Sequence, residues 1–375
     1  MSLRRHAIAP LLTVLVAACA SDSPTGPTVE PSPTPSASAS ATPPVLHDVS
    51  LVVFYDEDGN GVLDPSEGVR LPGVTVESGA QSAVTGSGGS AVLKVAEGSQ
   101  TVKLRQSSLP TYYRAGAGVP LLVPQTTQIV VPVTLPITGV RPNIYMAFGD
   151  SITLGEGSSD GDGYRRHLQD LLRAHFGHAT LDNEGISGTR SNRGAERLPD
   201  SLADRIPAFT LIMYGTNDWN DRTCQLTPPC FTIDSLREMV RTTRAAGSLP
   251  ILASIPLPNT GYDERVPPQR EDWVESQNER IAAMAKEEGV VLVNMEEALP
   301  NDVDRSDLYF DHLHPNDRGY ERMADAWFGA LIRPQGDPAD TMTLAEAIAS
   351  VVAAPLDGGD SPRPELLPLR AGRRR

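Results

Sequence analysis

The sequence predicts an α/β domain built on a parallel sheet, preceded by a small all-β sandwich, and three observations carry that expectation. The chain has 375 residues, more than one hydrophobic core usually organises. From residue 49 to about 135 it reads as short β runs broken by Gly, Pro and Asp. After Ile137-Thr138-Gly139 continuous apolar runs alternate with helical patterns, the mark of strands covered on both faces.

In the sandwich region the runs are 49–55, 73–77, 90–95, 101–104 and 128–135, and alternation such as Ala91-Val92-Leu93-Lys94-Val95 suits half-buried antiparallel strands. In the later region strands are expected at 144–148, 209–214, 250–255 and 290–293, with a weaker one at 179–181. Helical faces are formed by Tyr164, Leu168, Leu171, Leu172 and Phe176, by Trp273, Gln277, Ile281 and Met284, and by Tyr320, Met323, Trp327 and Leu331.

The first residues read as an export leader. Arg4 and Arg5 precede a short apolar stretch, and Val16-Ala17-Ala18-Cys19 follows. That tetrapeptide resembles the bacterial lipobox, which implies cleavage after residue 18 and lipidation of Cys19. An ordinary leader cut after Ala20 is the alternative. Residues 19–47, rich in Pro, Ser and Thr, form a tether with too few apolar groups to offset the entropy of ordering. The expected organisation is therefore leader 1–18, tether 19–47, sandwich 48–136, α/β domain 143–332 and a mostly disordered tail 333–375. The expected location is an extracytoplasmic face of a bacterial membrane, held there by lipid alone.

Charge narrows the function classes. With 32 Lys and Arg against 47 Asp and Glu, the formal net charge is −15, and loss of the leader removes two more positive charges. Nucleic acid is excluded as a general partner, because phosphate binding needs clustered positive charge. Of three cysteines, Cys19 is assigned to lipid, while Cys224 and Cys230 flank a short loop and read as a local disulfide in an exported chain, two free thiols being the alternative.

The sandwich carries a metal motif. In the run from Asp56 to Glu67, Asp56, Asp58, Asn60, Asp64 and Glu67 take loop positions one, three, five, nine and twelve, Gly61 takes position six, and Val62 offers its carbonyl. This spacing wraps Ca²⁺, and the expected structural cofactor is one calcium ion. An acidic turn between strands is the bland reading. The run from Val53 to Glu67 with Leu71-Pro72-Gly73-Val74 resembles the B-type domains of serine-aspartate-repeat surface proteins, which implies a calcium-stiffened stalk.

In the α/β region each strand is followed by a polar motif, at the edge where open parallel sheets bind ligands. The motifs are Gly149-Asp150-Ser151, Asn183-Glu184-Gly185-Ile186-Ser187-Gly188, Gly215-Thr216-Asn217-Asp218, and Asp311-His312-Leu313-His314-Pro315. A serine nucleophile needs a base and a group to orient that base. Ser151, His314 and Asp311 have the right chemistry, while the Ser151 and Gly188 N–H groups and the Asn217 amide suit an oxyanion hole. Asp150 and Asp218 are expected to hold loops by accepting N–H bonds, Gly185 is an alternative oxyanion donor, and His312 lies beside the site. A lone His or Gly-Asp-Ser says little, but the four motifs in this order resemble the signature regions of the SGNH (GDSL-type) hydrolases over residues 143–332.

That resemblance implies a flavodoxin-like three-layer α/β fold, ester hydrolysis through an acyl-enzyme on Ser151 with His314 as base and Asp311 orienting it, and no catalytic cofactor. It also implies acyl esters as substrates. Gly163-Tyr164-Arg165 and the Gly215-Thr216-Asn217-Asp218 form resemble both the carbohydrate-esterase and the lysophospholipase-like branches; O-acetyl groups on carbohydrate suit the external location with a stalk, and lysophospholipid, other lipid or aryl esters are the alternative. A calcium-dependent adhesion protein with an inert hydrolase domain is the reading from another class.

Overall fold

The computed structural model describes residues 44–262, 266–300 and 305–336. The expected leader, Cys19, nearly all of the tether, and the tail beyond 336 lie outside the described residues. Among the described residues no helix is long and apolar enough to cross a membrane.

The first strands are β1 (Leu46–Tyr55), β2 (Thr75–Ser78), β3 (Gln81–Val84), β4 (Ser90–Ala96), β5 (Gly98–Leu104), β6 (Arg114–Ala115), β7 (Val119–Val123) and β8 (Gln128–Thr134). They form two four-stranded sheets ordered β4-β1-β8-β6 and β3-β2-β5-β7. Alternation decides which side chains go inward. Val49, Leu51 and Val53 of β1, with Leu93 and Val95 of β4, join Val76, Val102 and Val123 of the second sheet in one buried cluster. One expectation needs correction: β1 and β8 pair in parallel, Ser50 opposite Gln128 through Tyr55 opposite Val133. The first and last strands of the unit meet after the chain has crossed between them, a connection long enough for parallel pairing.

The third sheet comprises β9 (Arg141–Gly149), β10 (Thr180–Gly185), β11 (Pro207–Met213), β12 (Leu249–Ala253) and β13 (Val291–Val293), in the order β10-β9-β11-β12-β13. All four pairings are parallel. In chain order this is 2-1-3-4-5, the flavodoxin-like arrangement, whose strand order reverses between β9 and β11 and opens a crevice at their carboxyl ends.

The helices are α1 (Ser151–Leu154), α2 (Tyr164–Phe176), α3 (Ser191–Arg205), α4 (Arg222–Leu226), α5 (Thr232–Ala245), α6 (Pro268–Glu288), α7 (Met295–Ala298) and α8 (Asp317–Ile332). Successive β9 residues point to opposite faces. Tyr145 and Ala147 pack with Leu168, Leu172 and Phe176 of α2 and Met323 and Trp327 of α8. Met146 and Phe148 pack with Leu198 and Leu202 of α3, Met239 and Val240 of α5, and Ile281 and Met284 of α6. Each such fully buried Leu or Phe contributes roughly 1.5–3 kcal/mol, so burial on both faces holds the helical layers against the sheet.

The two regions share one apolar cluster. Tyr112 donates its hydroxyl to the Pro250 carbonyl at 2.7 Å, and its ring lies 6.5 Å from that of Phe209. Thr111 Oγ1 donates to Ala330 O at 2.9 Å, and Arg70 N–H to Phe176 O at 2.8 Å. Pro250 and Phe209 stand near the amino ends of β12 and β11, so the sandwich buttresses the edge opposite the crevice. The chain leaves α8 through residues 333–336, where Gln335 N–H donates to Leu109 O at 3.0 Å.

Candidate active site

At the carboxyl end of β9 the chain turns sharply into α1, with Asp150 as its cap. Asp150 is buried and accepts the Ile152 N–H at 3.0 Å, which places Ser151 at the first helical position facing the crevice. From the far end of the domain the Tyr309–Pro315 segment comes back across the same edge. His314 Nε2 lies 2.9 Å from Ser151 Oγ, and its Nδ1 lies 2.8 Å from Asp311 Oδ2. Asp311 also accepts the backbone N–H of Leu313 and of His314, each at 2.7 Å. Burial would raise its pKa, but the hydrogen bonds from the His314 backbone and ring and from Leu313 hold it below the ordinary carboxylate range. A carboxylate fixed by two amides and aimed at one imidazole nitrogen leaves the other nitrogen facing the serine oxygen.

On the other flank of the crevice, Asn217 follows β11. Its side-chain amide donates to Asp150 Oδ2 at 3.2 Å and to Thr189 O at 3.3 Å, both long bonds. Gly188 stands exposed in the loop after β10 with φ +70°, a conformation natural to glycine. Gly185 differs from the alternative role considered for it, because its N–H donates to Asn183 Oδ1 at 2.9 Å. Asp218 accepts from Ser191 N–H at 2.8 Å and from the hydroxyls of Ser191 and Thr232, tying the β11 loop to α3 and α5. His312 is half-buried beside Asp311, and its carbonyl accepts the Asn259 N–H at 2.9 Å.

Two buried carboxyls stand close to the serine, and burial favours their neutral forms. Burial pushes the Asp150 carboxyl up to about 7 and raises that of Asp218. Two residues that the motif reading passed over also stand here. Glu156 Oε2 lies 3.3 Å from His314 Nε2. Arg270, at the start of α6, is 5% exposed and donates to Thr216 O at 2.9 Å, its pKa lowered by burial to about 10. A Gly-Glu-Gly triplet just after the serine was the available signal for Glu156; an arginine in a charged helix start offered none.

Cys224 and Cys230 form a disulfide, with an S–S distance of 2.06 Å, closing the loop after the Asn217 motif. Away from the crevice, the acidic loop of the sandwich converges as its spacing implies. Oxygens of Asp56, Asp58 and Glu67 lie within 4.8 Å of one another, and Asp56 and Glu67 are buried. Asp64 Oδ2 instead accepts from Asn60 Nδ2 at 3.0 Å, and Val62 is exposed. Among the described residues no Lys or Arg side chain pairs with the three converging carboxylates, which form a set of hard oxygen donors that could hold a cation.

A model of the GDSL-like lipase/acylhydrolase family matches residues 147–322, spanning all four motifs. Esterase TesA of Pseudomonas aeruginosa is 30% identical over 148 residues, which cover 40% of this chain and 68% of the relative. The thioesterase 1/protease 1/lysophospholipase L1 of Escherichia coli is 28% identical over 208 residues, 54% of this chain and 89% of the relative. Among solved structures, an acetylxylan esterase from Geobacillus stearothermophilus matches at 21% identity and a TM-score of 0.43, over 51% of this chain and 95% of that one. A GDSL-like lipase from Bacteroides thetaiotaomicron matches at 23% identity and a TM-score of 0.40, over 50% of this chain and 87% of that one. Given the likeness to TesA and a family model that runs from the Ser151 strand into α8, the chain belongs to the GDSL-like lipase/acylhydrolase family and is a carboxylic ester hydrolase.

Proposed function

We propose that this hydrolase cleaves esters through an acyl-enzyme on Ser151, and the observation that carries this reading is the relay from Asp311 through His314 to Ser151 Oγ. His314 Nε2 takes the hydroxyl proton as Oγ attacks the ester carbonyl carbon. Asp311 stabilises the imidazolium that results. The tetrahedral oxyanion draws on the Ser151 and Gly188 N–H groups and the Asn217 amide. Collapse breaks the bond to the alcohol oxygen, which leaves with the proton from Nε2. Water then attacks the acyl-enzyme, His314 again taking the proton, and releases the acid and free Ser151. No cofactor enters these steps.

The proposed setting is extracytoplasmic, with residues 1–18 as leader, Cys19 lipidated and 19–47 as tether. An exported esterase on a stalk suits O-acetylated polysaccharide; the lysophospholipase name of one relative supports a lipid ester as the second reading. In the sandwich, Asp56, Asp58, Asn60, Asp64, Glu67 and the Val62 carbonyl would hold structural Ca²⁺, as their spacing and the converging carboxylates suggest. Turnover of p-nitrophenyl acetate by the purified protein tests the catalytic reading. Ser151→Ala should abolish it, and turnover that survives this change would overturn the assignment of the nucleophile.

A further inference from the structure

Glu156 is held at the mouth of the crevice by a backbone with no freedom to place it elsewhere. Its N–H donates to Ser151 O at 3.0 Å, and its carbonyl accepts the Tyr320 hydroxyl at 2.6 Å. The glycines on either side have left-handed φ values, +104° at Gly155 and +94° at Gly157. A Cβ at Gly155 would run into the Gly161 carbonyl, and one at Gly157 would come 2.6 Å from Pro315 O and 3.0 Å from both His314 Cβ and Phe310 Cβ. The Glu156 side chain is 40% exposed and ends 3.3 Å from His314 Nε2.

That nitrogen has a defined partner in the reaction. Whatever alcohol leaves must bring its oxygen within hydrogen-bond distance of Nε2, and so beside the Glu156 carboxylate. A carboxylate only accepts hydrogen bonds, and its complement on the leaving group is a donor such as a free hydroxyl near the ester. An anionic alcohol meets the opposite. Asp311 adds to the repulsion at this mouth; Arg190 is paired with Asp221 at 2.9 Å, and Arg270, which keeps its charge, is 5% exposed and turned to Thr216 O.

We propose that Glu156 selects the alcohol side of the ester: it accepts a hydrogen bond from a free hydroxyl of an uncharged polyol and disfavours alcohols carrying phosphate. This rests on the reading of Ser151 and His314 as nucleophile and base, and it makes the polyol ester the substrate class of that site. The residue determines specificity, and its signature is a ratio of rates.

The test compares kcat/KM for three acetyl esters: glycerol monoacetate, its phosphorylated counterpart acetylglycerol phosphate, and propyl acetate, which has neither hydroxyl nor charge. Ratios within one variant are independent of how much of it folds. In Glu156→Gln the preference for glycerol monoacetate over the phosphorylated ester should fall by roughly tenfold, as expected when one close charge is removed near the protein surface. In Glu156→Ala the preference for glycerol monoacetate over propyl acetate should fall by about tenfold or more, in line with one lost hydrogen bond to a charged group. If both ratios stay within about twofold of wild type while p-nitrophenyl acetate is still turned over in a Ser151-dependent way, the role of Glu156 is overturned and the catalytic reading stands. If turnover does not depend on Ser151, the catalytic reading falls first.

Discussion

Asn217 donates its side-chain amide to Asp150 Oδ2 across the point where the strand order reverses, so a buried carboxyl joins the loop after β9 to the loop after β11. The bond is 3.2 Å and its companion to Thr189 O is 3.3 Å, which leaves the amide free to tilt toward a developing oxyanion at small cost. Asn217→Ala should lower kcat by roughly 10²–10³ with KM little changed, the expected loss for one preorganised donor. Steady-state kinetics on p-nitrophenyl acetate, with circular dichroism to establish folding, measures this; an unaltered kcat would exclude Asn217 from the oxyanion hole.

Asp150 also gives a pH dependence. Burial pushes its carboxyl up to about 7, opposed by the Ile152 N–H, His314 and the Asn217 amide. A raised folded-state pKa means that the fold favours the neutral acid. Its stabilising contribution is full below the ordinary Asp value of about 4 and is lost as pH rises through about 7. Asn at this position cannot ionise. The melting temperature of Asp150→Asn relative to wild type should therefore climb between about pH 5 and about pH 8, whatever its offset. A flat difference across that window would mean that Asp150 is ionised in the fold throughout.

For Asp311 the sign is reversed. Its folded-state pKa is depressed, so its contribution is present above the ordinary carboxylate range and fades as pH falls through the folded value. At neutral pH Asp311→Asn keeps the size of the group and replaces an acceptor facing His314 Nδ1 with an amide that can donate. The wrong imidazole tautomer should then face Ser151, and kcat should drop by about 10³–10⁴. Retention of more than about a tenth of wild-type kcat would show that the imidazole is oriented by another group.

What could be read from the chain differs by the range of the interaction. Ser151, Asn217 and the Asp311–His314 pair were legible because each sits in a short motif after an apolar run or before the last helix, and strand order alone brings such ends together. Helix α3 was hidden: Gly194 and Pro199 interrupt a polar stretch, although Ala195, Leu198 and Leu202 occupy one buried face. Helix α5 was missed too, its buried Leu236, Met239 and Val240 set among charged residues. The role of Glu156 depends on a contact with a residue 158 positions later, and that of Arg270 on a carbonyl 54 positions earlier. The parallel pairing of β1 with β8 escaped for the same reason. Alternation reports which face of a strand is buried, but says nothing about the direction of the neighbouring strand.

The shared cluster of the two regions sets what calcium should do. Asp56 and Glu67 are buried in a loop whose Glu57 accepts from the side-chain amide of Asn143, near the start of β9. Without a cation, carboxylates this close repel one another, and binding to the folded state alone would stabilise it by about 2.7 kcal/mol at a hundredfold excess over Kd. For a unit of this size that corresponds to a rise in melting temperature of roughly 5 °C. Because Tyr112 and Thr111 join the sandwich to the α/β region, the increment should appear in one transition that includes loss of esterase activity, not in a separate early step. Well below the transition, chelation should leave kcat unchanged, since the loop lies at the sheet edge opposite the crevice. Glu67→Gln should remove most of the increment while leaving the calcium-free melting temperature near that of wild type. Calorimetry with and without Ca²⁺, run beside activity measurements on the same samples, decides this. A melting temperature indifferent to Ca²⁺ would return the loop to an acidic turn, and loss of kcat on chelation at low temperature would place the ion's influence at Ser151 instead.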